Sequence, residues 1–184
     1  MSRLIAVLAL LLWCLPLYAQ DHFFYQKCYG SATLLVTNIP STAGTVEVAV
    51  RHIIPQEGTA IDDLLAGRLV FRTVTPAINS SWLRTAVTVV MHDADTYAME
   101  NPYTATFSGP ATAFLGWSRK GIKGTLKVVV SDRRDPTDEL GPSIMQFDTI
   151  KMTFVPDTSP LPYQLEWEGI VWRGDLIVFE RWVR

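Results

Sequence analysis

Apolar and polar residues alternate along much of this chain, and the alternation limits the folds that it can adopt. The segment 46–51 reads Val, Glu, Val, Ala, Val, Arg, and the odd positions of the segment 83–91 are Leu, Thr, Val, Val and Met. A period of two places alternate side chains on opposite faces of a β-strand. Similar runs lie at 33–39, 68–74, 103–107, 125–131, 150–155, 163–168 and 176–183. Because Gly, Pro, Asn and Asp separate these runs, we predict an all-β protein, an antiparallel β-sandwich of about eight or nine strands.

Two short segments are predicted to interrupt the strands. Residues 61–66 have the spacing of a helix of about two turns, with Thr59 able to cap its start and Gly67 its end. The tripeptide 173–175, Arg-Gly-Asp, falls where a tight turn would join Trp172 to Leu176, because Gly permits a positive φ and Asp favours turns. Integrins can read the same tripeptide, so a receptor motif is the alternative interpretation.

The first nineteen residues have the features of a secretory signal peptide. Arg3 makes the start positive, residues 4–17 are apolar, and Ala19 precedes the polar residues Gln20 and Asp21. The apolar stretch is short for a membrane span, although a membrane anchor is the alternative. We therefore predict a signal peptide at 1–19, a single β-sandwich domain at 20–184, and a secreted, extracellular protein.

The predicted mature domain contains one cysteine. Cys14 lies in the predicted signal peptide, which leaves Cys28 as a free thiol with no partner for an intrachain disulfide. The thiol is either buried among apolar neighbours such as Phe24 and Tyr29 or paired with a second chain.

Charge argues against one class of partner. Without Arg3, 15 basic residues face 18 acidic residues, so the predicted domain has a net charge of −3. A mildly acidic domain is not expected to bind nucleic acid or an anionic membrane through charge alone.

Catalytic motifs are not recognisable. The sequence around Ser118 lacks the second glycine of the G-x-S-x-G motif, and His22, His52 and His92 are far apart in the chain. No catalytic or cofactor-binding residues are predicted, and the protein is not expected to be an enzyme. A secreted hydrolase with an unrecognised site is an alternative.

Acidic residues follow two of the predicted strands. If both strand ends meet at one edge, the carboxylates could supply the oxygen ligands that Ca²⁺ requires. Aspartate is also common in turns that bind no metal, so a solvated turn is the alternative. The candidate calcium ligands are Asp93, Asp95, Asp132, Asp135 and Asp138.

Two further features suit an extracellular protein. Asn79 begins the sequence Asn-Ser-Ser, an acceptor for N-glycosylation, so the chain is predicted to be a glycoprotein. Trp117, Trp167, Trp172 and Trp182 lie in the second half of the chain, where they either pack in the core or form an exposed patch that binds a partner.

Several segments resemble the N-terminal domain of Delta/Serrate-type Notch ligands. Residues 30–36 look like the first strand of that domain, and 101–107 with Trp117 and 124–130 look like its aromatic strand, turn and aliphatic strand. The segments 166–167 and 176–184 are similar to the strand pair that leads into the receptor-binding module. The domain's usual cysteines and the cysteine-rich module that follows it in the family are missing from this sequence. The resemblance implies a β-sandwich of the calcium- and lipid-binding type that contacts receptors and membranes.

Together these features predict a secreted extracellular recognition module that is not catalytic. Its partner is expected to be a protein, either a cell-surface receptor for which the chain is a ligand or co-ligand, or another extracellular protein. Peripheral membrane contact remains open. The binding edge is expected at the loops that carry Asp93, Asp95 and residues 132–138. A structural extracellular or envelope protein, which packs through its tryptophan-rich face, is a further alternative.

Overall fold

The computed structural model describes residues 23–40, 42–57, 62–74, 85–116, 120–133, 147–158 and 164–183. These ranges contain strands and no helix, and therefore no helix that is long and apolar enough to cross a membrane. The strands are β1 (Phe23–Val36), β2 (Thr42–Pro55), β3 (Leu64–Val74), β4 (Ala86–Met91), β5 (Thr96–Asn101), β6 (Thr104–Leu115), β7 (Ile122–Ser131), β8 (Thr149–Pro156) and β9 (Leu165–Val183).

All pairs of neighbouring strands are antiparallel, which confirms the predicted all-β antiparallel class. The sheet has the order β4-β3-β2-β1-β9-β8-β7-β6-β5, and β4 also pairs with β6. This additional pairing closes eight strands into a ring and leaves β5 attached to β6. The architecture is a closed barrel with one extra strand rather than a clear sandwich of two sheets. Periodicity could not distinguish the two, because it gives the buried face of each strand but not which strands meet.

The interior of the barrel is filled by apolar side chains. Trp167, Phe71, Phe107 and Phe154 are fully buried there, and the rings of Phe71 and Trp167 meet edge to face with their centroids 5.4 Å apart. An eight-stranded barrel is just wide enough to be filled by its own side chains. The indole Nε1 of Trp167 donates a hydrogen bond to the Val74 carbonyl at 3.2 Å, so the ring is buried without losing a polar contact.

The predicted helix is wrong. Leu64 begins β3, and the register pairs Leu64 with Ile53 and Gly67 with Val50 on β2. The apolar residues at 64, 65 and 69 fit a helix by spacing alone, but pairing with β2 supplies backbone hydrogen bonds to the same segment. A weak local preference is overridden by tertiary pairing.

The boundaries of other elements also differ from the prediction. Two of the predicted runs contribute to one strand, β9, through their residues 165–168 and 176–183, and β5 was not predicted. The predicted turn at 173–175 is also wrong, because these residues lie within β9 and Gly174 pairs with Ala32 on β1. The register with β1 shifts between Thr33 and Leu34, and Trp172 is the extra residue of the resulting bulge. Gly174 has φ of +92°, which its residue type allows, but the chain does not reverse there.

The barrel separates into two sheets at one end. β8 pairs with β9 only from Leu165 to Ile170, and β4 pairs with β3 only from Leu69 onward. The rest of β9 and the start of β3 therefore lack a partner strand on one side within the described ranges. At this end β9, β1, β2 and β3 form one sheet, and β5, β6 and β7 form the facing one.

Replacing Gly174 with Ala is predicted to destabilise the barrel because β1 and β9 approach closely there. A Cβ at Gly174 would lie 2.2 Å from the Ser31 carbonyl oxygen, in addition to the unfavourable φ. Gly116 is a matched control, since its φ is +58° but a Cβ would meet only Thr85 at 3.4 Å. Urea unfolding should show a loss of about 3 kcal/mol or more for Gly174→Ala and about 1 kcal/mol for Gly116→Ala. Equal losses would contradict the close approach of the two strands.

Candidate binding site

The outer face of strands β9, β1, β2 and β3 carries a group of positively charged and aromatic side chains. The buried residues Cys28, Val50 and Val178 are paired across these strands, so the residues that alternate with them point outward. Lys27 is the outward residue between Cys28 and Gln26, and its direct partners are Arg51 on β2 and Phe179 on β9. We call this surface the basic wall and define it by Lys27, Arg51, Arg68 and Arg181.

The four cations of the basic wall have no carboxylate within ion-pair distance among the described residues. Two of them lie over aromatic rings instead: Lys27 Nζ is 3.9 Å from the centre of the Tyr29 ring, and the Arg181 guanidinium is 5.7 Å from that of Phe179. Such contacts hold a cation in place without neutralising its charge. The basic wall is therefore a positively charged surface on a chain that is acidic as a whole.

A surface groove of about 460 Å³ runs across the basic wall. Its longer lining side chains are those of Tyr25, Lys27, Arg51, Arg68 and His92. Small residues on β2 and β3 leave space between them, namely Ala49, Ala66 and Gly67. A second groove, of about 220 Å³, adjoins the first and shares Ala49 and Arg68 with it.

Asp93 bounds the groove on the side of β4. Its Oδ1 accepts hydrogen bonds from the backbone N–H groups of Gly67 at 3.0 Å and Ala94 at 2.9 Å. Gly67 lies in the part of β3 that has no partner on this side, so the carboxylate replaces the carbonyl of a missing strand. The same oxygen is thereby committed to the backbone.

Asp132 has a comparable role on the other side of the same open end, between β7 and β9. It is buried, and its Oδ2 accepts a hydrogen bond from the Val178 N–H at 3.2 Å. Asp148 acts beside it, because its Oδ2 accepts from the Leu176 N–H at 3.2 Å and its Oδ1 from the Arg133 N–H at 3.1 Å. Both carboxylates stabilise the part of β9 that β8 does not reach.

The structure does not bring the candidate calcium ligands Asp95 and Asp132 together. The backbone N–H of Asp95 donates to the Ser108 carbonyl and that of Asp132 to the Tyr103 carbonyl, each at 2.8 Å. These two acceptors are separated along the chain by roughly 15 Å of nearly extended backbone. No group of three His, Cys, Asp or Glu side chains that could hold a metal ion occurs within the described ranges. Asp135 and Asp138 lie outside those ranges, so the calcium site stays a prediction.

A second polar group lies between the two sheets at the open end. His52 on β2 and Tyr97 on β5 approach edge to face, with ring centroids 6.0 Å apart. His52 Nε2 is 2.8 Å from Asp63 Oδ1, which favours the tautomer that carries the proton on Nε2. His52 Nδ1 and the Tyr97 hydroxyl are buried, and neither has a hydrogen-bond partner in the described part of the chain.

Cys28 and Tyr97 are poor nucleophiles in this environment. Burial, reinforced by the negative charge of Asp132, raises the pKa of the Cys28 thiol to about 12. Burial, followed by the charges of Cys28 and Glu180, raises the pKa of Tyr97 as well. Both groups therefore stay protonated at neutral pH. The buried position of Cys28 agrees with one of its two predicted states, an inert free thiol.

The remaining predicted residues are distributed between core, surface and undescribed segments. Trp167 is in the core, whereas Trp172 and Trp182 are 65% and 64% exposed. Trp182 packs against Phe24 with ring centroids 5.0 Å apart. The predicted signal peptide at 1–19, Asn79 and Trp117 lie outside the described residues, so the signal peptide and the glycosylation stay predictions.

The cations of the basic wall were missed by the sequence analysis. Lys27 and Arg51 occupy polar positions of alternating strands, which read as an ordinary solvated face. Their proximity depends on the register of β1 with β2, and Arg68 joins them through the register of β2 with β3. A comparison of charge on paired strands would have identified the surface, but only with the pairing known.

Comparison with known proteins leaves this site to be interpreted from its own chemistry. No family model matches the chain, and searches of curated proteins and of solved structures found no significant match. The resemblance to Notch-ligand domains consequently stays a prediction.

Asp132→Ala is expected to lower the free energy of unfolding by about 1–3 kcal/mol, because the buried Val178 N–H loses its acceptor. Asp95→Ala is the matched control: Asp95 is exposed and its backbone N–H, not its side chain, makes the bond to Ser108. The control should change stability by less than about 0.5 kcal/mol. Urea unfolding in EDTA measures both variants without any contribution from calcium, and an equal effect of the two substitutions would exclude the proposed role of Asp132.

Cys28 is predicted to make stability fall in alkaline solution. The thiol has a pKa of 9.0 when solvated in the unfolded chain and of about 12 in the folded protein, so between these values only the unfolded chain loses the proton. Unfolding is favoured as pH rises through this interval, and at pH 10.5 the thiol accounts for a loss on the order of 2 kcal/mol relative to pH 8.5. Urea unfolding of wild type and Cys28→Ala at the two pH values isolates this loss. The same fall in both proteins would show that the thiol is not responsible.

Proposed function

We propose that the chain is a secreted recognition module that binds a cell-surface receptor or another extracellular protein and does not act as a catalyst. The observation that carries the proposal is the basic wall, whose four cations are exposed or half-buried and have no carboxylate partner among the described residues. Charged side chains left without internal partners speed association with a complementary partner and select for it. The proposed binding surface is thus a strand face and differs from the acidic loops that the sequence favours.

The packed interior supports binding at the surface. Phe71, Phe107 and Trp167 are fully buried in the barrel, as expected of an interior filled by its own side chains. The exposed tryptophans Trp172 and Trp182 add apolar area outside the core. Aromatic and arginine side chains commonly provide the largest contributions at protein interfaces.

The remaining parts of the sequence prediction belong to the same proposal. They are export by the segment 1–19, a glycan on Asn79, and a ligand or co-ligand role of the kind that the Notch-ligand resemblance implies. The finer fold assignment, a β-sandwich of the calcium- and lipid-binding type for the domain at 20–184, is part of the proposal as well.

A second candidate function is acid–base catalysis by His52. The 2.8 Å contact with Asp63 orients the imidazole, and the buried Nδ1 has no hydrogen-bond partner among the described residues. The raised pKa values of Cys28 and Tyr97 argue against either of them as the attacking group. A catalytic role would therefore require a water molecule or a group of the substrate as nucleophile.

Binding to cells distinguishes these functions. The labelled mature chain should bind saturably to cells or to arrayed receptor ectodomains, and Arg51→Glu with Arg68→Glu should weaken binding about tenfold or more. Lys123→Glu with Lys127→Glu is the control, since it makes the same change of charge on exposed residues of β7, across the barrel. His52→Ala should leave binding unchanged. Absence of saturable binding, or equal weakening by the control, would contradict the proposal.

A further inference from the structure

The groove on the basic wall is open to solvent and adjoins a second groove. The two grooves share Ala49 and Arg68 and together run along β2 and β3. A ligand that lies across both would be extended and would not be enclosed. This shape suits a segment of a polymer better than a small molecule, which is usually surrounded on most sides.

The cations of the basic wall repel one another, and an anionic ligand would reduce this repulsion. Lys27 and Arg51 are directly opposite each other on neighbouring strands, and Arg68 lies diagonally from Arg51 through its pairing with Ala49. Like charges in directly opposite positions destabilise a sheet. An anionic group placed between them would offset this cost and would accept hydrogen bonds from the arginine fork.

The acidic residues near the grooves form contacts with parts of the protein other than the basic wall. Asp93 Oδ1 is held by the backbone N–H groups of Gly67 and Ala94. Glu47, which lines the second groove, is 3.5 Å from the Arg72 guanidinium. Neither carboxylate pairs with the cations of the basic wall, so Lys27, Arg51 and Arg68 keep their charge available to a ligand.

The other lining residues favour a sugar chain over an acidic peptide. Tyr25 is half-buried at the groove and presents an aromatic ring beside the cations, which allows a sugar ring to stack on it. Ala49, Ala66 and Gly67 make a shallow surface between the longer side chains. Among the described lining residues, no deep apolar pocket is formed for the large side-chain anchors on which peptide binding commonly depends.

We infer that the groove of the basic wall binds an anionic polysaccharide, a chain of sulfated or carboxylated sugars carried by the extracellular partner. Lys27, Arg51 and Arg68 contact the acidic groups, and Tyr25 contacts a sugar ring. The inference rests on the proposed function, because it names the part of the partner that the basic wall recognises.

Binding to heparin, a sulfated polysaccharide, tests the chemistry of the site. Heparin should bind to the wild-type protein with an affinity that falls as salt concentration rises, while neutral dextran should not bind. Arg51→Glu with Arg68→Glu should raise the dissociation constant about tenfold or more and make its salt dependence shallower. Tyr25→Ala should weaken binding at unchanged salt dependence. The β7 control, Lys123→Glu with Lys127→Glu, should bind as the wild type does, and circular dichroism confirms that each variant is folded.

Three results would overturn the inference. They are equal loss of heparin binding in the wall and β7 variants, binding to poly-glutamate at least as tight as to heparin, and no binding to heparin at low salt. Enzymatic removal of anionic polysaccharides from cells separates the inference from the proposed function. Loss of cell binding after this treatment supports both, whereas unchanged binding that still depends on Arg51 and Arg68 leaves a protein partner and refutes the polysaccharide.

Discussion

Backbone hydrogen bonds between β4 and β6 close the sheet on itself, and the position of every outward side chain depends on that closure. Five residue pairs, from Val87 with Leu115 to Met91 with Ala111, join the two strands. Without them the sheet would be an open strip with β4 and β5 at its edges. Closure gives each of the eight strands in the ring one enclosed face and one exposed face, and it removes most of the strand edges that could pair with another chain.

Closure is incomplete at the open end, where aspartate carboxylates accept the backbone hydrogen bonds that a neighbouring strand would otherwise accept. Asp93 accepts the Gly67 N–H on one side, while Asp132 and Asp148 accept the N–H groups of Val178 and Leu176 on the other. A buried N–H without an acceptor would cost stability, so a carboxylate at each position permits the sheets to separate. Asp93 also lines the groove beside the cations of β1, β2 and β3, so one carboxylate both satisfies the edge of β3 and bounds the binding surface.

The sequence predicted most of the individual strands but not which strands pair with each other. Alternation located seven of the strands because burial of every second residue leaves a direct trace in composition. It failed for β5, whose polar and apolar residues follow no clear pattern. It also divided β9, which continues as one strand through the bulge at Trp172 and the positive φ of Gly174. The segment 61–66 was predicted to be a helix because the pairing of residues 64–66 with β2 is a long-range interaction that local spacing does not record.

The candidate site was less predictable for the same reason. Asp132 was predicted to be a calcium ligand because it is a carboxylate at a strand end. In the structure its Oδ2 accepts a hydrogen bond from the Val178 N–H, forty-six residues away in the chain. Lys27 and Arg51 are twenty-four residues apart in the chain and become neighbours only through the register of β1 with β2. The net charge of the chain did not indicate this surface, because a protein that is acidic as a whole can still have a basic face.

One wall of the closed barrel is proposed to present a basic surface to an anionic partner. Addition of a sulfated oligosaccharide of defined length, followed through backbone amide resonances by NMR, tests this directly. The largest shifts are expected at Lys27, Arg51 and Arg68, while the amides of β7 remain unchanged. Shifts confined to β7 or to the residues around His52, with the amides of the basic wall unaffected, would contradict it.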